Sequence, residues 1–305
     1  MSLLISKVDL HLQRPTAVDA LIPGGRAQAF GRYELLDTIG RGGCGVVYRA
    51  VDLHQGGEVA LKVHTTQPGG SGDATNRLRR RFQREAYSLS SVEHENLAQI
   101  RGHGSERGLD YLAMELVPGE TLEAYVEREG PLGEPALRAL LERLARALSA
   151  IHARGLVHRD LKPANIVLRE GRPADPVLVD FGLAKLVYDR SLTLDGERYG
   201  TPAFMAPEQV IGEDASSQTD LFSLGLVACY AASGQCAFPS LDLSALLRAR
   251  CSRPSQVPAG LSPGLRSALS RLTKIRSSRR TSTANDLLRE LAGLPSVGLA
   301  ELAGR

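Results

Sequence analysis

The run His158-Arg159-Asp160-Leu161-Lys162-Pro163-Ala164-Asn165 packs an imidazole, two cations, a carboxylate and a carboxamide into one short stretch. It follows a long apolar-striped segment and precedes a short apolar run. It therefore reads as a loop between a helix and a strand, where catalytic groups concentrate. Asp180-Phe181-Gly182 closes the next apolar run. An Asp and an Asn on adjacent loops offer oxygen ligands to a hard cation. Upstream, Lys62 ends Val59-Ala60-Leu61-Lys62. Strand alternation puts Ala60 and Lys62 on one face, with Val59, Leu61 and Val63 on the other. Ala60 leaves room for a planar base, and Lys62 offers a point charge for phosphate. Gly40, Gly42, Gly43 and Gly45 lie between two strands, where the lack of a Cβ lets backbone come close to phosphates. They open no helix, which argues against a Rossmann dinucleotide site.

Two further features join this set. Leu78, Phe82, Glu85 and Leu89 fall on one helical stripe. A carboxylate on an apolar face needs a partner or a route to water. Lys62 is the obvious partner, and a side chain snorkelling to solvent is the alternative. Gly200-Thr201-Pro202-Ala203-Phe204-Met205-Ala206-Pro207-Glu208 is followed by Asp220 inside an otherwise apolar helix.

The elements that must position these groups separate into two halves. From Tyr33 the pattern is strand-like, with short apolar runs at 33–39, 46–50, 59–63 and 111–116, interrupted by one helix over about 76–92. The Gly-, Ser- and Thr-rich stretch 65–75 reads as a flexible surface loop. After Val117 the pattern turns helical. Leu137, Leu140, Leu141, Leu144, Leu148 and Ile151 recur at spacings of three and four, a long buried stripe. Short strands follow at 166–168 and 177–179, then an irregular stretch from 183 to about 207. Helical patterns return at 220–232, 244–250, 265–272 and 283–291. A β-rich half followed by a helical half implies two packed lobes. Residues 1–28 form an N-terminal extension, with one short strand pattern at Val8, Leu10 and Leu12. It is read as partly ordered or as docking on a protein partner. Residues 29–116 make the first lobe, 117–294 the second, and 295–305 a tail.

Composition narrows the class. A net charge of +3 is too small to imply nucleic-acid binding. No uninterrupted apolar run reaches the roughly 20 residues of a membrane span, and no basic-then-apolar leader opens the chain. Cys44, Cys229, Cys236 and Cys251 form no CxxC pair, which fits a reducing compartment better than a zinc site. The expectation is a cytoplasmic protein bound to neither nucleic acid nor membrane. Arg77 to Arg81 reads as a solvated helix face.

The glycine loop, the Val-Ala-Leu-Lys strand, His158-Arg159-Asp160, Asp180-Phe181-Gly182 and Ala206-Pro207-Glu208 stand in the order and context of the eukaryotic-type protein kinases. From about Phe30 to Leu294 the chain resembles that family, in its bacterial Ser/Thr branch. The resemblance implies an α+β bilobal fold, with a β-rich N-lobe carrying one regulatory helix and a mainly helical C-lobe. It implies transfer of the γ-phosphate of ATP to protein Ser or Thr hydroxyls, with Mg2+, or Mn2+, as metal. Gly40, Gly42 and Gly45 would cover the phosphates. Ile39, Val47, Ala60, Met114 and Val167 would sandwich the adenine, and Glu115 and Val117 would supply backbone hydrogen bonds. Lys62, held by Glu85, would pair with the α- and β-phosphates. Asp160 would accept the hydroxyl proton, Lys162 would contact the γ-phosphate, and Asn165 and Asp180 would bind the metal. Thr201 would shape the site for a Ser or Thr acceptor.

The same resemblance implies that Asp220 braces the catalytic loop, and that Leu89, His158 and Phe181 stack in an internal spine. Glu208 would pair with a late arginine, first Arg279, with Arg280 as the alternative. Arg159 would be regulatory, pairing with a phosphate on Ser191 or Thr193, with Asp195 or Glu197 as other sources of negative charge. A transient homodimer would serve autophosphorylation. Cys44, at the tip of the glycine loop, is a candidate redox position if its thiolate is exposed. The competing readings are a pseudokinase scaffold, which would be expected to lack Lys62, Asp160, Asn165 or Asp180, and a small-molecule phosphotransferase of related fold.

Overall fold

Strand-forming runs gather before residue 116 and amphipathic helical runs after it, and the computed structural model describes residues 28–42, 45–64, 73–182, 202–237 and 243–295. The first lobe is an antiparallel sheet of β1 (Gln28–Phe30), β2 (Tyr33–Gly42), β3 (Gly45–Asp52), β4 (Glu58–His64), β5 (Ile100–Glu106) and β6 (Leu109–Glu115). Its spatial order is β1-β2-β3-β4-β6-β5. Helix α1 (Asp73–Ser90) crosses from β4 to β5. Val47 pairs with Lys62 and Lys62 with Leu112, while Ala60 pairs with Met114. Directly paired residues share a sheet face. Val47, Ala60, Lys62 and Met114 therefore line one side, the side on which α1 packs through Phe82 and Ala86. Val59, Leu61 and Val63 face the opposite way, into a separate cluster with Phe30, Tyr33 and Tyr48, as the alternation predicts.

The second lobe opens with β7 (Gly119–Thr121) and α2 (Leu122–Glu129), capped by Thr121 Oγ1, which accepts from the Ala124 amide at 3.1 Å. Helix α3 (Glu134–His152) follows, then β8 (Ile166–Arg169) and β9 (Pro176–Leu178). Strands β7, β8 and β9 form a small sheet. The leucine stripe of α3 is fully buried, as the spacing predicts. Beyond it lie α4 (Pro207–Val210), α5 (Ser217–Ser233), α6 (Leu243–Ser252), α7 (Pro263–Leu272) and α8 (Ala284–Ala292). Helix α5 is buried from Thr219 through Ala231, the mark of a helix enclosed on all sides.

The lobes share one core. Phe82 and Leu89 of α1, Met114 of β6, Phe181 and the α3 leucines belong to a single buried cluster. Backbone also crosses between them, Ala98 N donating to Leu178 O at 2.9 Å and Leu178 N to Asn96 O at 2.9 Å. Strand β5 and the short β1 and β7 are absent from the sequence-based expectation, and α1 begins within the stretch read as a loop, at Asp73. The expected strand at Val8–Leu12 and the loop over 65–72 lie outside the described residues.

Candidate active site

The catalytic-type loop after α3 is held from below by one carboxylate. Asp220 of α5, 1% exposed, accepts from the backbone amides of His158 at 2.8 Å and Arg159 at 2.9 Å, and contacts His152 Nε2 at 2.8 Å. Hydrogen bonds to an ionised acceptor are the strong ones. They hold a loop whose Arg159 sits at φ 66°, a conformation that costs a non-glycine residue energy. Gln209 of α4 adds a third anchor, its Nε2 donating to Arg159 O at 2.9 Å. His158 is fully buried, and its pKa is lowered by that burial, so the ring is neutral. It packs against Phe181 with ring centroids 5.0 Å apart.

On this loop Asn165 Nδ2 donates to Asp160 O at 2.8 Å and to Asp160 Oδ2 at 3.0 Å. Lys162 Nζ lies 3.2 Å from the same Oδ2, and both side chains keep some solvent exposure, 17% for Lys162 and 15% for Asp160. Asp180, at φ 58°, follows β9. The Gly182 amide donates to His158 O at 2.9 Å. A Cβ on Gly182 would come within 3.0 Å of that oxygen and 3.1 Å of Asp160 Cβ. Lys62 Nζ reaches Asp180 Oδ1 at 2.5 Å across the cleft. The structure thus brings Lys62, Asp160, Lys162, Asn165 and Asp180 together from both lobes.

The partner of Glu85 differs from the expectation. Glu85 Oε2 takes Arg159 Nη1 at 2.7 Å, and Oε1 lies 3.6 Å from Arg81, while Lys62 is paired with Asp180. The expected partner, Lys62, is corrected to Arg159. Lys62 is 7% exposed, and a buried ammonium needs a close counter-charge. Asp180 supplies it, and the guanidinium of the loop beneath α1 supplies the counter-charge for Glu85.

The remaining expected positions differ in exposure. Ile39 is 49% exposed, whereas Ala60 and Met114 are buried. Val47 and Val167 are half-buried, as are Glu115 and Val117 at the link between lobes. The Glu115 amide donates to Gln99 O at 2.8 Å and its carboxylate meets Arg169 at 3.1 Å. Gly40 and Gly42 leave open or ordinary space, but a Cβ on Gly45 would sit 2.3 Å from Val63 O. Gly45 is therefore demanded by the pairing of β3 with β4. Thr201, Ser191, Thr193 and Cys44 lie outside the described residues.

Glu208 pairs with Arg280, not with the first-expected Arg279. Nη1–Oε1 and Nη2–Oε2 are both 2.7 Å, whereas Arg279 is exposed. Gln209 and Ser223, whose Oγ donates to Phe204 O at 2.8 Å, escaped the sequence reading. Neither stands in a pattern that separates it from an ordinary helix polar residue.

No group of three or more His, Cys, Asp or Glu suited to hold a metal ion occurs among the described residues. One carboxylate, Asp180, and one amide, Asn165, are nevertheless the kind of hard oxygen donors that Mg2+ takes alongside phosphates and water.

A two-lobed fold thus carries basic, acidic and amide side chains between its lobes, the residue types that phosphoryl transfer uses. Residues 33–291 match the family described as the protein kinase domain, and the chain belongs to that family, which uses ATP and a divalent metal. It is 37% identical over 243 residues to serine/threonine-protein kinase PknA of Mycobacterium tuberculosis, covering 77% of this chain and 55% of that one. It is 37% identical over 246 residues to Pkn1 of Myxococcus xanthus, covering 78% and 34%. The solved PknI kinase domain of M. tuberculosis superposes with a TM-score of 0.65 at 26% identity, covering 89% of this chain and 99% of that one. The chain thus spans about half, or less, of the length of these curated relatives. No described helix is long and apolar enough to cross a membrane.

Proposed function

We propose that this chain is a serine/threonine protein kinase, transferring the γ-phosphate of ATP to hydroxyls of protein substrates. The observation that carries the reading is the convergence of Lys62, Asp180, Asn165, Asp160 and Lys162 across one cleft. Asp160 accepts the proton of the incoming hydroxyl and orients it for in-line attack. Lys162, beside it, neutralises charge on the transferring group, and Lys62 binds the α- and β-phosphates. Ile39, Val47, Ala60, Met114 and Val167 enclose the base, with backbone contacts from Glu115 and Val117. Because the Glu115 amide is engaged by Gln99, a base would use the Glu115 carbonyl. Mg2+, with Mn2+ as a substitute, would be held by Asp180 and Asn165 and would neutralise phosphate charge. Thr201 shapes the acceptor site.

Regulation follows from the ion pairs. Arg159 holds Glu85 at 2.7 Å. A phosphate on Ser191 or Thr193 carries more charge and more acceptors than a carboxylate, so it competes for Arg159 and frees Glu85 for Lys62. Autophosphorylation through a transient homodimer would supply that phosphate. The 1–28 extension is a candidate docking element for a protein partner, and a cytoplasmic location puts the cleft where ATP is abundant. The test uses labelled ATP and a generic basic protein, comparing wild type with Asp160→Asn. Wild type should incorporate label and the variant should not. Equal incorporation by the two would remove the mechanism.

A further inference from the structure

Arg250 of α6 is among the largest side chains in the protein that are fully buried, at 1% exposure. Arginine is almost never fully buried unless it is paired. Burial draws its pKa down to about 10, so it remains cationic at neutral pH. Its Nη2 donates to the carbonyl of Ala203, and Nη1 lies 3.4 Å from Ser255 Oγ. Its Cζ stands 5.7 Å from the Phe222 ring centroid, and the same ring carries Arg280 at 4.7 Å. Arg280 in turn grips Glu208.

Ala203 and Phe204 belong to the short turn 202–204 that leads into α4. The carbonyl of Ala203 is held by Arg250 and that of Phe204 by Ser223. Both anchors come from α5 and α6. Phe204 and Met205 line a small pocket together with Asp160, Lys162 and Gln209. A chain whose hydroxyl reaches Asp160 must carry its neighbouring residues past this turn. We infer that Arg250 is a positioning residue for the acceptor chain: it sets the height and orientation of the Ala203–Phe204 turn beside Asp160.

The role rests on the kinase reading and adds to it a residue that touches neither nucleotide nor reacting atoms. A buried charge is weak evidence of a stabilising role by itself, so the role is assigned from the turn whose Ala203 carbonyl Arg250 holds. An arginine fork fixes direction, because its donors are planar and rigid.

The test compares wild type, Arg250→Lys and Arg250→Met, with labelled ATP and histone as a basic acceptor protein. KM for acceptor and for ATP, kcat, nucleotide affinity and melting temperature are measured separately. Arg250→Met should lower kcat/KM for the acceptor by about 10–100-fold, the penalty of misplacing a reactant by roughly an ångström. Nucleotide affinity should be unchanged, and Arg250→Lys should recover part of the loss. An unchanged acceptor kcat/KM in Arg250→Met overturns the inference. So does a loss of nucleotide affinity and melting temperature in parallel with activity, since that marks general destabilisation. If Arg250→Met does not fold, Arg250→Lys decides: a selective acceptor defect supports the role, and wild-type kinetics overturn it. A wild type that transfers no phosphate overturns the kinase reading itself, and this role with it.

Discussion

Replacing Arg280 with Met should cost far more than a surface ion pair does. The Arg280 side chain is 0% exposed and that of Glu208 11%. The guanidinium donates to both Glu208 oxygens at 2.7 Å, to Lys274 O at 2.7 Å, to Ile275 O at 2.8 Å and to Gln218 O at 3.1 Å. Met fills similar volume but leaves a carboxylate and three carbonyls without this donor. Breaking one side of a buried pair costs about 3–5 kcal/mol, a large share of a total stability of about 5–15 kcal/mol. At about 2–4 °C per kcal/mol, the melting temperature should fall by roughly 6–20 °C.

The dependence on pH has a definite sign. Burial alone would raise the Glu208 pKa, but the Arg280 hydrogen bond and charge and the Thr219 hydroxyl outweigh it and hold the carboxyl below its usual value. In the wild type this contribution is present above the unfolded carboxyl pKa of about 4.3. It is lost as pH falls through the lower folded value. In Arg280→Met burial is opposed only by the Thr219 hydroxyl and a backbone hydrogen bond, so the folded pKa rises relative to wild type and protonation relieves the variant. The stability gap between the two proteins should therefore narrow as pH falls below about 5. Glu208→Gln combined with Arg280→Met should recover part of the loss. Thermal and urea unfolding at neutral and acid pH measure all three. A loss within the 0–1 kcal/mol typical of exposed pairs, or a gap that widens in acid, would refute the reasoning.

Other perturbations have equally direct readouts. Asp160→Asn should lower kcat by about 10²–10⁴-fold while nucleotide affinity, measured by fluorescence titration, is retained; retained turnover would exclude it as the base. Arg159→Gln removes the present partner of Glu85. The unphosphorylated protein should then gain activity relative to unphosphorylated wild type, with mass spectrometry establishing the phosphate content; a fall in activity would count against the latch. Gly45→Ala forces a Cβ to within 2.3 Å of Val63 O. It should lower the melting temperature, and an unchanged value would mean that β3 and β4 part there at no cost.

Much of the site could be read without coordinates because it is written in local patterns. Alternation along 59–63 assigns Lys62 and Ala60 to one face, and the register of β3, β4 and β6 bears this out. The leucine stripe of α3 is buried along its whole length. The motif order carried the family, because a run of residue types survives in any chain that must build the same loops. Strand β5, Ile-Arg-Gly-His-Gly-Ser-Glu, escaped because its glycines and charges carry no alternation; β6 orders it by pairing.

The sequence alone therefore determined the two-lobed class, the faces of the long elements and the groups that meet in the cleft. Only the tertiary structure decided who pairs with whom. Glu85 could reach more than one cation, and the loop braced by Asp220 presents Arg159. Arg279 and Arg280 are neighbours of identical chemistry, and the turn 277–279 exposes the first and buries the second. Arg250 looks like a solvent residue by composition and is a core residue by position. Element type follows from periodicity within a segment, whereas the choice among equivalent charges depends on distances of a few ångströms between segments far apart in the chain, and those are set only when the lobes pack.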